Sequence, residues 1–134
     1  MFIITLSTLL TITSLAFADE VWESTLGKVI YAEDIGPTAM WTYTYNDKPG
    51  VIYILGLAGI YDNRGAYDGY WAESISKQRC DTQRTGPGKK PTYYWGRFYI
   101  SFIDKGFPTH WTAKWGYCDA APNQKWDGKP YISD

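Results

Sequence analysis

Residues 93–103 read Tyr93-Tyr94-Trp95-Gly96-Arg97-Phe98-Tyr99-Ile100-Ser101-Phe102-Ile103. Alternate positions differ in kind. Tyr94, Gly96, Phe98, Ile100 and Phe102 form one set, and Tyr93, Trp95, Arg97, Tyr99 and Ser101 form the other. A strand points successive side chains to opposite faces, so the first set reads as a core face and the second as an outer one. The same period recurs at 111–117, where Trp111, Ala113, Trp115 and Tyr117 oppose Thr112, Lys114 and Gly116. Around 69–75, Gly69, Trp71, Glu73 and Ile75 oppose Tyr70, Ala72 and Ser74.

Working outward, no segment after residue 18 carries helical periodicity. Stretches rich in Tyr, Trp, Val, Ile and Thr are cut by Gly, Pro and Asn, which is the punctuation of strands and turns. Strands are expected near 21–32, 39–45, 51–57, 67–75, 93–104, 110–118 and 124–128, with a short one at 59–61. Turns are signalled at Asn46-Asp47-Lys48-Pro49-Gly50, Asp62-Asn63-Arg64-Gly65 and Asp104-Lys105-Gly106. Their residues tolerate positive φ or hydrogen-bond their own backbone. The longest irregular piece runs from Lys77 to Pro91. The expected fold is all-β, an antiparallel up-and-down barrel or compact sandwich of about eight strands. Gly sits beside Trp at Gly69-Tyr70-Trp71, Trp95-Gly96, Trp115-Gly116 and Trp126-Asp127-Gly128. A bare backbone there lets a neighbouring ring lie across it in a curved sheet.

Residues 2–17 are apolar apart from Thr and Ser, and Ala16-Phe17-Ala18 precedes Asp19-Glu20. This spacing of small residues before a polar start predicts a signal peptide over 1–18 and one β domain over 19–134. A membrane anchor is the alternative, but the stretch is short and diluted for a span of ~20 residues. The mature chain is expected to be secreted or periplasmic and free of the membrane. In an oxidising compartment Cys80 and Cys118, the only two cysteines, have one intramolecular pairing open to them. Two free thiols are the competing reading.

Composition narrows the function. There are 13 Lys and Arg against 14 Asp and Glu, a net charge of −1, which argues against a nucleic-acid partner. With 2 Cys and 1 His, zinc sites of the Cys/His kind are nearly excluded. Asp62, Asn63 and Asp68 are a weak calcium candidate that a simple turn explains, so no metal and no cofactor is expected. His110 has no nucleophile motif around it, and Gly-x-Ser-x-Gly is absent from the sequence. Glu73, Asp68 and Asp119 are the carboxylates weighed for a glycosidase pair. In a chain with 14 acidic residues such a pair has little specificity.

The ordered series Tyr67-x-Gly69-x-Trp71-x-Glu73, Arg79-Cys80-Asp81, Tyr93-Tyr94-Trp95-Gly96-Arg97-Phe98, Lys114-Trp115-Gly116-Tyr117-Cys118-Asp119 and Trp126-x-Gly128 covers most of the mature chain. It resembles small Trp/Gly-rich domains of uncharacterised secreted bacterial proteins. That resemblance implies the β fold and the disulfide, and brings no activity. Trp22-Glu23-Ser24-Thr25-Leu26-Gly27 is similar to the opening of avidins, and implies an avidin or calycin type of barrel at the level of architecture only. No avidin ligand position is carried over.

The 7 Trp and 12 Tyr are more than a core of this size is expected to bury fully, because each carries a polar group that needs a partner. Rings beside charged groups suit sugars by stacking, and protein partners as hot spots. The candidate ligand-binding residues are Trp71, Glu73, Trp95, Arg97 and Tyr99. The expectation is an exported, non-enzymatic binding module for carbohydrate or another small cell-envelope molecule. A protein-interaction factor, such as a hydrolase inhibitor or adhesion component, is the alternative. A small secreted glycosidase comes third.

Overall fold

A computed structural model describes residues 20–106 and 109–131. The leader expected over 1–18 lies outside the described residues. Eight strands close an antiparallel barrel. They are β1 (Val21–Ser24), β2 (Gly27–Ile35), β3 (Thr38–Tyr45), β4 (Lys48–Leu55), β5 (Ala66–Glu73), β8 (Tyr94–Phe102), β9 (Trp111–Trp115) and β10 (Gln124–Pro130). Each pairs with its neighbour along the chain, and β1 pairs with both β2 and β10, so no edge is left open. Between β5 and β8 the chain inserts a small hairpin, β6 (Arg84–Thr85) and β7 (Pro91–Thr92), around a turn at Pro87–Lys89. The barrel is therefore the up-and-down form, and the sandwich is set aside.

Two expected strands are assigned differently, and the others shift at their ends by up to three residues, as where 51–57 begins at Lys48 and 110–118 ends at Trp115. The segment expected as one strand over 21–32 is two, because the chain reverses at Thr25-Leu26 and Gly27 takes φ +98°. The strand expected at 59–61 is a turn, with the Ile60 amide donating to the Leu57 carbonyl at 3.1 Å. The turn at 46–50 is tighter than read. Asn46 and Asp47 both take positive φ, 51° and 63°, and Lys48, Pro49 and Gly50 already belong to β4. Such a two-residue turn matches the twist of the strands it joins.

The barrel interior is filled by side chains rather than solvent. Trp22, Trp41, Trp111, Trp126, Phe98, Ile52, Ile54 and Ile100 are all buried there, with Tyr31 and Phe102 towards one end. Trp22 and Trp41 lie 4.4 Å apart between ring centroids, Trp41 and Trp111 5.5 Å, and Phe98 and Trp126 5.7 Å edge to face. Six of the seven Trp are buried, more than expected. Four of those six indole N–H groups find acceptors: Trp22 on the Thr109 carbonyl, Trp71 on the Gly116 carbonyl, Trp95 on the Thr82 carbonyl and Trp126 on the Ser24 hydroxyl. Those of Trp41 and Trp111 have none among the described residues.

Inward-facing glycines make this density of rings fit. A Cβ on Gly128 would fall inside the Trp111 ring, and one on Gly96 would strike the Gly116 carbonyl and the Trp71 indole. Both pairs are direct neighbours across strands, Gly128 with Trp111 and Gly96 with Trp71.

A second, smaller core lies outside the barrel. Val51, Tyr53, Ala72 and Trp95 face outwards from β4, β5 and β8, and are buried with Cys80. The long connection from β5 to β8 covers them. The Cys80–Cys118 disulfide fixes that connection, and the Arg84 guanidinium sits 4.8 Å and 4.5 Å from the ring centroids of Tyr70 and Trp95.

Candidate functional site

The β1–β2 and β3–β4 turns, the end of β5 and the segment after β9 share one end of the barrel. There the interior column of rings stops short of the rim and leaves a cavity of about 70 Å³. Its wall is Leu26, Tyr43, Tyr45, Trp71, Trp115, Tyr117 and Trp126, with Glu73 and Ser76 as the polar members. A second recess shares Tyr45, Glu73, Ser76 and Tyr117 with it and adds Lys48 and Lys77.

Strand register explains how the wall is built. Tyr43 on β3 and Glu73 on β5 both pair with Gly50 on the strand between them. Gly50 has no side chain, so the Tyr43 ring lies across it, and its hydroxyl donates to Glu73 Oε2 at 2.6 Å. Trp71 likewise crosses Gly96 to donate to the Gly116 carbonyl at 2.9 Å. Trp71, Trp115 and Tyr117 form a mutual edge-to-face trio with centroids 5.3 to 5.8 Å apart. Tyr43 meets Trp126 edge to face at 5.0 Å. Locked rings and the satisfied N–H groups of Trp71 and Trp126 make the wall preorganised, the condition for a binding pocket.

Burial pushes the Glu73 carboxyl above its ordinary value, while hydrogen bonds from Tyr43 and Ser76 act the other way. Burial and the Glu73 charge raise the Tyr43 hydroxyl well above its ordinary value. Tyr117 is raised by burial, by Glu73 and by Tyr45. A carboxyl raised in the folded state favours folding of its protonated form. Its contribution is fully present below the unfolded value and is lost as pH rises through the folded one. Glu73→Gln keeps an acceptor for Tyr43 and removes the titration. Thermal melts from pH 4 to pH 7 should therefore show the wild type losing stability relative to Glu73→Gln as pH rises. Parallel curves would mean that Glu73 is not strained by burial.

The five residues singled out from sequence fall in separate places. Trp71 and Glu73 line the cavity together. Trp95 is 2% exposed in the outer core beneath the β5–β8 connection. Arg97 and Tyr99 are exposed on the outer face of β8. The structure thus does not bring Trp95, Arg97 and Tyr99 to the cavity, because inward and outward positions of a closed barrel never meet. Leu26, Tyr43, Tyr45, Ser76, Trp115, Tyr117 and Trp126 complete the wall and were not singled out. Trp115 and Tyr117 already shared a face with Trp111 in the sequence pattern, and that was the signal to follow.

The other candidates are also placed. Asp68 and Asp119 are exposed away from the cavity, so among the described residues Glu73 is the one carboxylate in its wall. His110 is exposed and its Nδ1 lies 2.5 Å from Asp104 Oδ2. Among the described residues no three His, Cys, Asp or Glu side chains cluster as metal ligands. Nor is any helix among them long and apolar enough to cross a membrane.

No protein-family model matches the chain, and neither a curated protein nor a solved structure matches it. The eight-stranded antiparallel barrel agrees with a calycin-like architecture, and the likeness extends no further than that.

Proposed function

We propose that this protein is an exported, non-enzymatic binding module that takes one terminal group of a small or cell-envelope molecule into the open end of its barrel. The observation that carries the reading is the ring-walled cavity with Glu73 in its wall. Rigid aromatic walls with few, fixed polar groups are the usual make-up of a ligand pocket. Binding is favoured over hydrolysis because a glycosidase needs two carboxylates flanking one bond, and this wall offers one. The cavity is smaller than a whole sugar ring, so a carbohydrate ligand would enter by a substituent while the rest lies in the recess outside. The disulfide fits the oxidising compartment that the leader implies.

Titrating the oxidised protein with glycans and small envelope metabolites tests this by intrinsic fluorescence, since Trp71, Trp115 and Trp126 line the cavity. A ligand that saturates the signal should bind about tenfold or more weakly to Trp115→Ala and to Tyr117→Ala, as hot-spot rings do. Both positions are half-buried, so the fold should survive the truncation. Ligands indifferent to both changes would move the binding surface elsewhere.

A further inference from the structure

We propose that the group received at the open end is an alkylated ammonium, with its methyl groups against the rings of Trp71, Trp115 and Tyr117 and its charge opposed by the Glu73 carboxylate. This rests on the pocket reading above and specifies the chemistry of its ligand.

The argument is one of what the wall offers and what it lacks. The indole N–H groups of Trp71 and Trp126 are already spent on Gly116 and Ser24, and the Tyr43 hydroxyl on Glu73. What remains is ring surface, the Glu73 carboxylate, the Trp115 indole N–H and the hydroxyls of Tyr45, Tyr117 and Ser76, the last of which also serves Glu73. An anion would meet Glu73 with few donors to hold it. A polyhydroxyl group carries more donors and acceptors than these few groups can match, and each one left unmade is costly in a desolvated site. A neutral apolar group would strip water from Glu73 and return nothing. A primary ammonium needs three acceptors, and the wall supplies one carboxylate. An alkylated ammonium spreads its charge over methyl groups, needs almost no hydrogen bonds, and is attracted both by ring quadrupoles and by the carboxylate.

Size agrees. In the measure in which one water needs ~10–15 Å³, the cavity of about 70 Å³ holds a handful of heavy atoms. That is the bulk of a trimethylammonium group and not of a larger head. Lys48 and Lys77 in the adjoining recess disfavour a second positive charge on the ligand. They favour one that carries its anionic group outwards.

Choline and its neutral carbon isostere, 3,3-dimethylbutan-1-ol, test the charge directly on the wild-type protein, because the two share a shape. Calorimetry and Trp fluorescence should give choline an affinity at least about tenfold above the isostere. Glu73→Gln should erase most of that preference. Choline affinity should also fall on acidification as Glu73 takes up a proton, while that of the isostere stays flat. The groups facing Glu73 are Tyr43, Tyr45, Ser76 and Tyr117, with Lys48 and Lys77 in the adjoining recess. Equal affinities for the two probes, or no choline binding at millimolar concentration, overturns the ammonium assignment. A pocket that then binds a neutral ligand sensitive to Tyr117→Ala leaves the binding module standing. Indifference of every ligand to Tyr117→Ala removes both.

Discussion

Replacing both Cys80 and Cys118 by serine should lower the free energy of unfolding by about 4 kcal/mol, the chain-entropy value for a loop of this length. The two residues are 38 positions apart, and the loop they close contains the whole of β8 and β9. The double replacement avoids a stray thiol that would pair between molecules. Packing adds to the entropic loss. Cys80 is 4% exposed among Val51, Tyr53, Ala72 and Trp95, so a hydroxyl there is buried in an apolar cluster. The damage should also be local before it is global. The β5–β8 connection is held by the Cys80 amide on the Tyr93 carbonyl, by Thr92 on the Glu73 carbonyl, and by the Trp95 indole on Thr82. Without the bridge, amides over 77–93 should exchange faster than those of the barrel strands, and Trp95 should become quenchable before the other buried indoles. Urea titration gives the global cost and hydrogen exchange the local one. A loss below about 1 kcal/mol would show that packing alone holds the connection.

The outer core shows where reading the sequence reaches and where it stops. Period-2 alternation put Trp95 opposite Phe98, and the two do face opposite sides of β8. Alternation says which face a residue takes and not what covers that face. Trp95 looked available for a ligand because the segment that buries it lies in the least regular part of the chain. The antiparallel all-β fold was legible because alternation marked the strands and turn residues marked several of their ends, as at Asn46 and Asp47 with their paired positive φ, whereas the β1–β2 reversal was read through and barrel and sandwich were both left open. The pocket was half legible. Trp71 and Glu73 share a strand and a face, so local pattern joined them. Tyr43 reaches Glu73 only across Gly50, and Trp126 reaches the same level only because β10 closes on β1. Those neighbours exist through closure and register, which no local window contains. The Gly-Trp pairs were a partial clue: a glycine marks where a ring crosses, and not which ring.

Arg64 was invisible for another reason, since an arginine beside Asn63 and Gly65 reads as an exposed turn residue. Its side chain is 0% exposed, and it makes a two-pronged pair with Glu20 at 3.0 and 2.9 Å. Its Nε donates to the Ile60 carbonyl at 2.7 Å, and its guanidinium lies 5.4 and 5.0 Å from the ring centroids of Tyr61 and Phe102. The pair ties the residue preceding β1 to the β4–β5 connection, across the end of the barrel opposite the pocket. Arg64→Ala should cost about 3–5 kcal/mol, because it leaves the Glu20 carboxylate buried without its partner. Glu20 has a side-chain exposure of 8%, so water cannot readily replace the guanidinium. Arg64→Lys should recover little, since a single ammonium cannot hold both carboxylate oxygens and the Ile60 carbonyl in one plane. Arg64→Met combined with Glu20→Gln should recover a large part, because it removes the orphaned charge together with its partner. Urea unfolding of Arg64→Met, Glu20→Gln and their combination closes a double-mutant cycle, and a coupling of about 2 kcal/mol or more is expected from a network this buried. Additive costs would mean that Arg64 stabilises the barrel end through its rings and the Ile60 carbonyl alone. The pocket lies at the other end, so in every variant that folds, choline affinity should be unchanged even where stability has fallen.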